Sequence, residues 1–265
     1  MSDDPIWQAI CSEAKRDAAD EPLLASFLHV TILNHDSLEA SLAFHLANKL
    51  SSPTLQTISL MEMFSAAFGE EGIQEAVRRD LQAVRERDAA CRGYSAPLLY
   101  FKGFHALQAY RVAHWLWEQN REALALMLQS QISEVFAVDI HPAACIGHGI
   151  LIDHATGIVI GETAVVGNNV SLLHEVTLGG TGKEQGDRHP KIGDGVLISA
   201  GAKILGNLHI GDSAKVGAGS VVLKAVEPHC TVAGVPAKVV GHPNCETPAL
   251  EMDHRLNDAH TSSEL

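Results

Sequence analysis

Residues 192–222 read IGDGVLISAGAKILGNLHIGDSAKVGAGSVV. An aliphatic residue stands at every sixth position: Ile192, Ile198, Ile204, Ile210, Val216 and Val222. Gly193, Gly211 and Gly217 follow three of them directly, and the small residues Ala202, Ala214 and Ser220 stand four places on. A period of six matches neither the helical period nor the alternation of a long strand. It matches a short strand and a corner, repeated. Three hexads close one triangular coil of about 18 residues. The aliphatic side chain points into the prism and stacks on its counterpart one coil away, at the ordinary strand spacing of about 4.8 Å. Glycines and small residues permit the corners. Self-similarity of this kind predicts a parallel β-helix.

Working outward, the same phase holds for Ile140, Ile146 and Ile152, and again for Ile160, Val166, Leu172 and Leu178. Two interruptions separate the runs: a slip of two residues between Ile152 and Ile160, and a gap from Leu178 to Ile192. The gap contains TGKEQGDRHP at 181–190, polar and glycine-rich, and is expected to bulge out as a loop. Loops on rigid scaffolds are where function concentrates. From Val226 to Gly241 the chain leaves the repeat. Residues 246–265 hold five acids, one arginine and little apolar content, so a mobile tail is expected over 242–265.

Residues 1–136 carry a different period. Asp4-Pro5, Asp20-Glu21-Pro22 and Ser95-Ala96-Pro97 each set a capping residue ahead of a proline, as at a helix start. Phe104, Leu107, Tyr110, His114 and Trp117 fall on one helical stripe. Gly69, Gly72 and Gly93 mark breaks. The fold class expected is a multidomain α+β chain: a helical bundle over 1–136, a hexapeptide-repeat β-helix over 137–241, and a tail over 242–265.

Of the 265 residues, 46% are apolar and 19% charged, which suits a packed core. A net charge of −13 argues against a nucleic-acid binder. No segment approaches the length of about 20 apolar residues that spans a bilayer, and the acidic N-terminus has no signal-peptide pattern. Five widely spaced cysteines without a CxxC pair fit reduced thiols in a cytoplasmic protein better than a disulfide framework.

The ionisable residues cluster at the start of the repeat and in the loop. Asp139 and His154 lie 15 residues apart, close to one coil. A carboxylate that holds an imidazole leaves its other nitrogen free to take a proton from an alcohol. A solvated surface histidine would show the same spacing. Histidines six apart, such as His148 and His154, face different sides of the prism, so no metal pair emerges. Lys183, Arg188, Lys191, Lys203, Lys215 and Lys238 could serve an anionic cofactor, or merely keep the β-helix soluble.

Seven stretches carry a resemblance: residues 47–52 (ANKLSS), 100–111 (YFKGFHALQAYR), 139–143 (DIHPA), 153–157 (DHATG), 177–182 (TLGGTG), 187–191 (DRHPK) and 233–237 (AGVPA). With them the chain resembles the bacterial serine O-acetyltransferases over nearly its whole length. The resemblance implies that the β-helix is left-handed, and that acetyl passes from acetyl-CoA to the hydroxyl of L-serine in a ternary complex. No permanently bound cofactor is implied. It implies His154 as general base with Asp139 orienting it. Asp88 and Asp153 would receive the substrate ammonium, and Arg188 and His189 its carboxylate. The CoA arm would lie near Gly180, Thr181, Ala200, Lys215 and Ala218. It further implies trimers paired into a homohexamer, with sites between neighbouring prisms, and feedback inhibition by L-cysteine. Many relatives end in an isoleucine that docks into cysteine synthase; this chain ends in Leu265, so that partner is implied less directly. Rival readings are a hexapeptide acetyltransferase for a sugar or antibiotic, and a β-helix metalloprotein like the γ-class carbonic anhydrases.

Overall fold

The computed structural model describes residues 4–182 and 185–256. The helical half comprises α1 (Pro5–Asp20), α2 (Pro22–Leu28), a π-helical turn (His29–Leu33), α3 (Leu38–Leu50), α4 (Thr57–Ala67), α5 (Glu71–Arg87), α6 (Ser95–Tyr100), α7 (Lys102–Glu118) and α8 (Glu122–Phe136). Two expected caps form. The Asp4 carboxylate accepts from the N–H groups of Ile6 and Trp7, and Glu21, rather than Asp20, caps α2 through Leu23 N–H. The third differs. Ser95 lies inside α6, and Glu13 of α1 accepts from the N–H groups of Tyr94 and Ser95 instead. A tertiary carboxylate has taken the place of a local hydroxyl. The expected stripe on α7 understates its burial, for this helix is enclosed on nearly all sides.

The second half is a parallel solenoid with three faces. The first face stacks β1 (Val138–Ile140), β4 (Ile158–Ile160), β7 (Thr177–Gly179), β10 (Lys203–Leu205) and β13 (Val221–Val222). The second stacks β2 (Cys145–Ile146), β5 (Val165–Val166), β8 (Lys191–Ile192) and β11 (His209–Ile210). The third stacks β3 (Leu151–Ile152), β6 (Ser171–Leu172), β9 (Leu197–Ile198), β12 (Lys215–Val216) and β14 (Thr231–Gly234), closed by antiparallel β15 (Ala237–Gly241). The hexad aliphatics meet in register: Ile140 with Ile160, Ile160 with Leu178, Leu178 with Ile204, Ile198 with Val216. β7 and β8, which flank residues 180–190 in sequence, both keep their places in the stack.

The two halves are keyed together by buried polar groups. Asp80 of α5 is fully buried. Its carboxylate accepts from Arg111 of α7 at 2.7 and 3.0 Å, from Gln108 at 3.0 Å and from the Ile150 N–H at 2.9 Å. Arg111 also donates to the Gly147 carbonyl at 2.7 Å. Such a network is stable because every buried charge is answered.

The expectation of a mobile tail is corrected for residues 242–256. These lie along the third face and include a short helix, α9 (Pro248–Glu251). Ala249 is fully buried. The Ser171 hydroxyl donates to the Ala249 carbonyl at 2.8 Å, Ser199 pairs with His254 at 3.2 Å, and Lys215 donates to the Arg255 carbonyl at 2.6 Å. Polar side chains on the solenoid face thus find partners on the tail, which composition could not reveal. Leu265 and Lys183 lie outside the described residues. Among the described residues no helix is long and apolar enough to cross a membrane, and the five cysteines are free thiols.

Candidate active site

The chain turns from the third face to the first between Ile152 and Ile158. His154 and Ala155 take left-handed conformations there, with φ of 57° and 61°. Each costs a non-glycine residue about 1–2 kcal/mol, so surrounding contacts must hold them. They do. Thr156 N–H donates to the His154 carbonyl at 2.7 Å, Gly157 N–H donates to the Ala137 carbonyl at 2.8 Å, and the Ala155 side chain is fully buried. Lys102 Nζ donates to the Thr156 hydroxyl. The result is a His154 side chain 75% exposed on a fixed corner. Its nearest carboxylate is Asp153, at 3.7 Å.

His154 and Asp153 open on a cavity of about 490 Å³ that Asp88, Tyr100, Phe101 and Lys102 also line. Asp88 follows the last residue of α5, and its carboxylate accepts from Ala90 N–H at 2.8 Å. The preceding residue, Arg87, is buried and donates to the Ser171 hydroxyl at 3.2 Å. Burial pulls its guanidinium down to about 10. Arg87 therefore pins the end of α5 to the solenoid, next to Asp88, which lines the same cavity as Asp153. Gly103 permits the approach of α7: a Cβ there would stand 2.1 Å from the Ile152 carbonyl oxygen.

The corners above His154 form a column on the same edge. His174 meets His154 edge-on at 5.9 Å between ring centres. Gly201 N–H donates to the His174 carbonyl, and Gly219 N–H to the Ala200 carbonyl. Ala200 and Ala218 thus stand in line over His154. Lys215 lies beside this edge, only 4% exposed.

Arg188 and His189 occupy a different edge, where the first face turns into the second. Arg188 pairs with Glu162 at 2.6 Å, a contact that holds the Glu162 carboxyl below its ordinary range. His189 is 7% exposed, and burial, then Arg188, lowers its affinity for a proton. Gly180 and Thr181 start the loop on this edge. Asp139 lies on the first face, between the two edges. Its carboxylate accepts from Gln129 of α8 at 2.6 Å, and no hydrogen bond joins it to His154 among the described residues. One chain therefore brings Asp88, Asp153 and His154 together, but not Arg188, His189 or Asp139. Sequence reasoning missed the supporting roles of Lys102 and Arg87, and also missed Thr163, whose backbone N–H donates to Nδ1 of His189 at 3.1 Å. Lys102 stands in a recognised motif, whereas nothing in the hexad pattern distinguishes Thr163.

Against this geometry, similarity to known proteins is extensive. Residues 6–109 match the family model for the serine acetyltransferase N-terminal region, and residues 189–224 the model for bacterial transferase hexapeptide repeats. The serine acetyltransferase of Escherichia coli is 58% identical over 95% of this chain and 93% of its own. Serine acetyltransferase 2 of Arabidopsis thaliana is 59% identical over 95% of this chain and 78% of its own. The crystal structure of serine acetyltransferase from Vibrio cholerae superposes with a TM-score of 0.94 at 58% identity, covering 95% of this chain and 98% of that one. A serine acetyltransferase in complex with cysteine gives 0.92 at 56% identity, covering 94% and 98%. The Brucella abortus enzyme in complex with coenzyme A gives 0.90 at 51%, covering 91% and 97%. Helical half, solenoid and whole-chain likeness agree, and the chain belongs to the serine acetyltransferase family of enzymes.

Proposed function

We propose that His154 is the general base of acetyl transfer from acetyl-CoA to L-serine. Its ring takes the hydroxyl proton as the serine oxygen attacks the thioester carbonyl carbon; the C–S bond then breaks, and CoA leaves with O-acetyl-L-serine formed. The observation that carries this reading is the exposed His154 ring, held on a left-handed corner at the mouth of the cavity that Asp88 and Asp153 line. Two carboxylates beside a base suit an amino-acid ammonium, and disfavour a sugar or antibiotic hydroxyl as acceptor. Arg188 and His189 would clamp the substrate carboxylate. The carboxylate nearest the base is Asp153; Asp139, the orienting partner that resemblance implies, would have to exchange Gln129 for His154.

The clamp residues stand on two edges of one prism. A complete site then takes one edge from each of two neighbouring chains, in a head-to-tail ring. Exposed Val159 on the first face, between those edges, supports that contact. We infer a trimer, paired through the helical halves into a homohexamer, acting in the cytoplasm. The CoA arm would follow Ala200 and Ala218 on one edge and meet Gly180 and Thr181 on the other; Lys215, which resemblance also implies, would have to release the Arg255 carbonyl to reach it. L-cysteine shares the ammonium and carboxylate of L-serine and would compete for the same clamps; the relative solved with cysteine supports this. Docking of the Leu265 terminus into cysteine synthase belongs to the same reading.

A thiol-release assay with acetyl-CoA and a panel of amino acids and sugars tests the acceptor. L-serine is expected to release CoA fastest. Faster release with a sugar, or with an alcohol lacking the ammonium, would overturn the assignment.

A further inference from the structure

Thr163 sits in the corner between β4 and β5. Its backbone N–H donates to Nδ1 of His189 at 3.1 Å, and its hydroxyl stands 2.9 Å from the same nitrogen. The hydroxyl oxygen also accepts from the backbone N–H groups of Arg188 at 3.0 Å and His189 at 3.1 Å. An imidazole nitrogen that accepts a backbone N–H has no room for a proton of its own. The ring proton of neutral His189 therefore resides on Nε2. Among the described residues Nε2 has no hydrogen-bond partner. The ring packs over Gly161, where a Cβ would stand 2.1 Å from Nε2. The charged and titratable groups around it are Arg188, Glu162, Lys191 and His141, with Asp187 tied to Lys191. Burial and the three basic neighbours disfavour the imidazolium, and only Glu162 opposes them.

We propose that Thr163 and Gly161 are positioning residues for acetyl transfer, which fix His189 as a neutral donor presenting Nε2–H to a substrate oxygen. This rests on the reading that His189 faces the serine carboxylate. Arg188 supplies the charge there, and His189 adds a directed hydrogen bond. The arrangement also separates the two histidines of the site. The lone pair of His189 is spent on Thr163, so His189 cannot compete with His154 for the serine proton. One imidazole is left as the base and the other can only donate.

Glutamine tests this, because its amide nitrogen falls near the place of Nε2 and it neither titrates nor accepts a proton. His189→Gln is expected to raise the KM for L-serine by only about threefold. His189→Leu is expected to raise it by roughly 10–100-fold, the worth of a hydrogen bond to a charged group, with kcat less affected. Gly161→Ala should follow the leucine variant. Thr163→Val keeps the backbone N–H to Nδ1 but loses the hydroxyl contacts, so it should fall between the glutamine and leucine variants, and Thr163→Ser should recover most of that loss. If His189→Gln is as impaired as His189→Leu, the donor role is wrong and a base or a cation is needed. If His189→Leu leaves both the serine KM and calorimetric serine binding unchanged, the placement of His189 at the carboxylate fails, and the proposal with it. If Thr163→Val binds serine like the parent enzyme, the Thr163 hydroxyl positions nothing and that part of the proposal fails. Nitrogen-15 spectra of the intact enzyme labelled at histidine bear on the tautomer without any substitution. A His189 ring protonated on Nε2 alone at neutral pH is expected, and a proton on Nδ1 would overturn the lock.

Discussion

At the scale of single residues, the corner that carries His154 is built before any substrate arrives. Its left-handed backbone is held by Ala155 inside the prism and by Lys102 outside it. The exposed ring contributes little to packing. His154→Ala should therefore lower turnover by about 10²–10⁴-fold, the range of a general base, with the unfolding temperature unchanged. Unaltered turnover would remove His154 from the mechanism. His45 and His105 are the opposite case. Their rings stack edge to face at 5.0 Å in the helical core, and each is bonded to a backbone carbonyl, of Leu99 and Leu98. Burial, aided by Lys49, lowers His45 to about 4; burial, aided by His45, lowers His105 to about 3. Both fall below the ordinary histidine value of about 6.5, so the unfolded chain binds protons that the folded chain refuses. Their contribution to stability is complete above about pH 6.5 and is lost as the pH falls toward their folded values. Denaturant midpoints should drop between pH 7.5 and 5.5, taken as rough endpoints, and His105→Gln should flatten that slope. Of these residues the sequence marked His154 through a motif. It could not mark the histidine pair, because burial of two rings against each other joins α3 to α7 across a long stretch of chain.

At the scale of elements, the hexads were fully legible and the helices less so. Strand length, corner and core position are all local in a solenoid, so Ile192 to Val222 declared their own register. The helical caps were legible only where the partner was local: Asp4 serves its own helix, but Glu13 reaches α6 from another. The tail misled because its composition is polar, and its anchors are Ser171, Ser199 and Lys215 on a distant face. The Asp80–Arg111 network is the clearest hidden feature. Asp80→Ala would strand the Arg111 guanidinium among buried carbonyls, and a loss of about 3–5 kcal/mol in denaturant unfolding is expected. A loss under 1 kcal/mol, taken as the rough worth of an exposed pair, would mean that water replaces the carboxylate. Arg87→Met should act on both stability and catalysis, because it frees the end of α5 that carries Asp88. A raised KM for L-serine with little change in the KM for acetyl-CoA is expected from steady-state kinetics.

At the scale of the whole molecule, the division of site residues between two prism edges makes a demand on assembly. A chain lacking His154 and a chain lacking Arg188 should each be nearly inactive alone. Refolded together in equal amounts, they should recover about a quarter of the parent activity, since a quarter of random neighbour contacts in a ring pair the two intact edges. Sites confined within one chain would recover none. The resemblance implies sites between neighbouring prisms, but the sequence does not assign each residue to an edge, because loop residues 181–190 and corner 153–157 look equally close to the repeat.

The solenoid has two open ends, and each is stopped differently. At the first coil, α8 packs against β1. At the last, β15 runs back along β14, so the outermost strand of the third face faces the wrong way to seed another parallel coil. A stack of identical rungs is otherwise a template for endless growth, the geometry of a fibre. The hairpin from Thr231 to Gly241 is then a terminator for polymerisation, and chains cut before Ala237 should sediment as filaments or aggregates under conditions where the intact chain stays a closed oligomer.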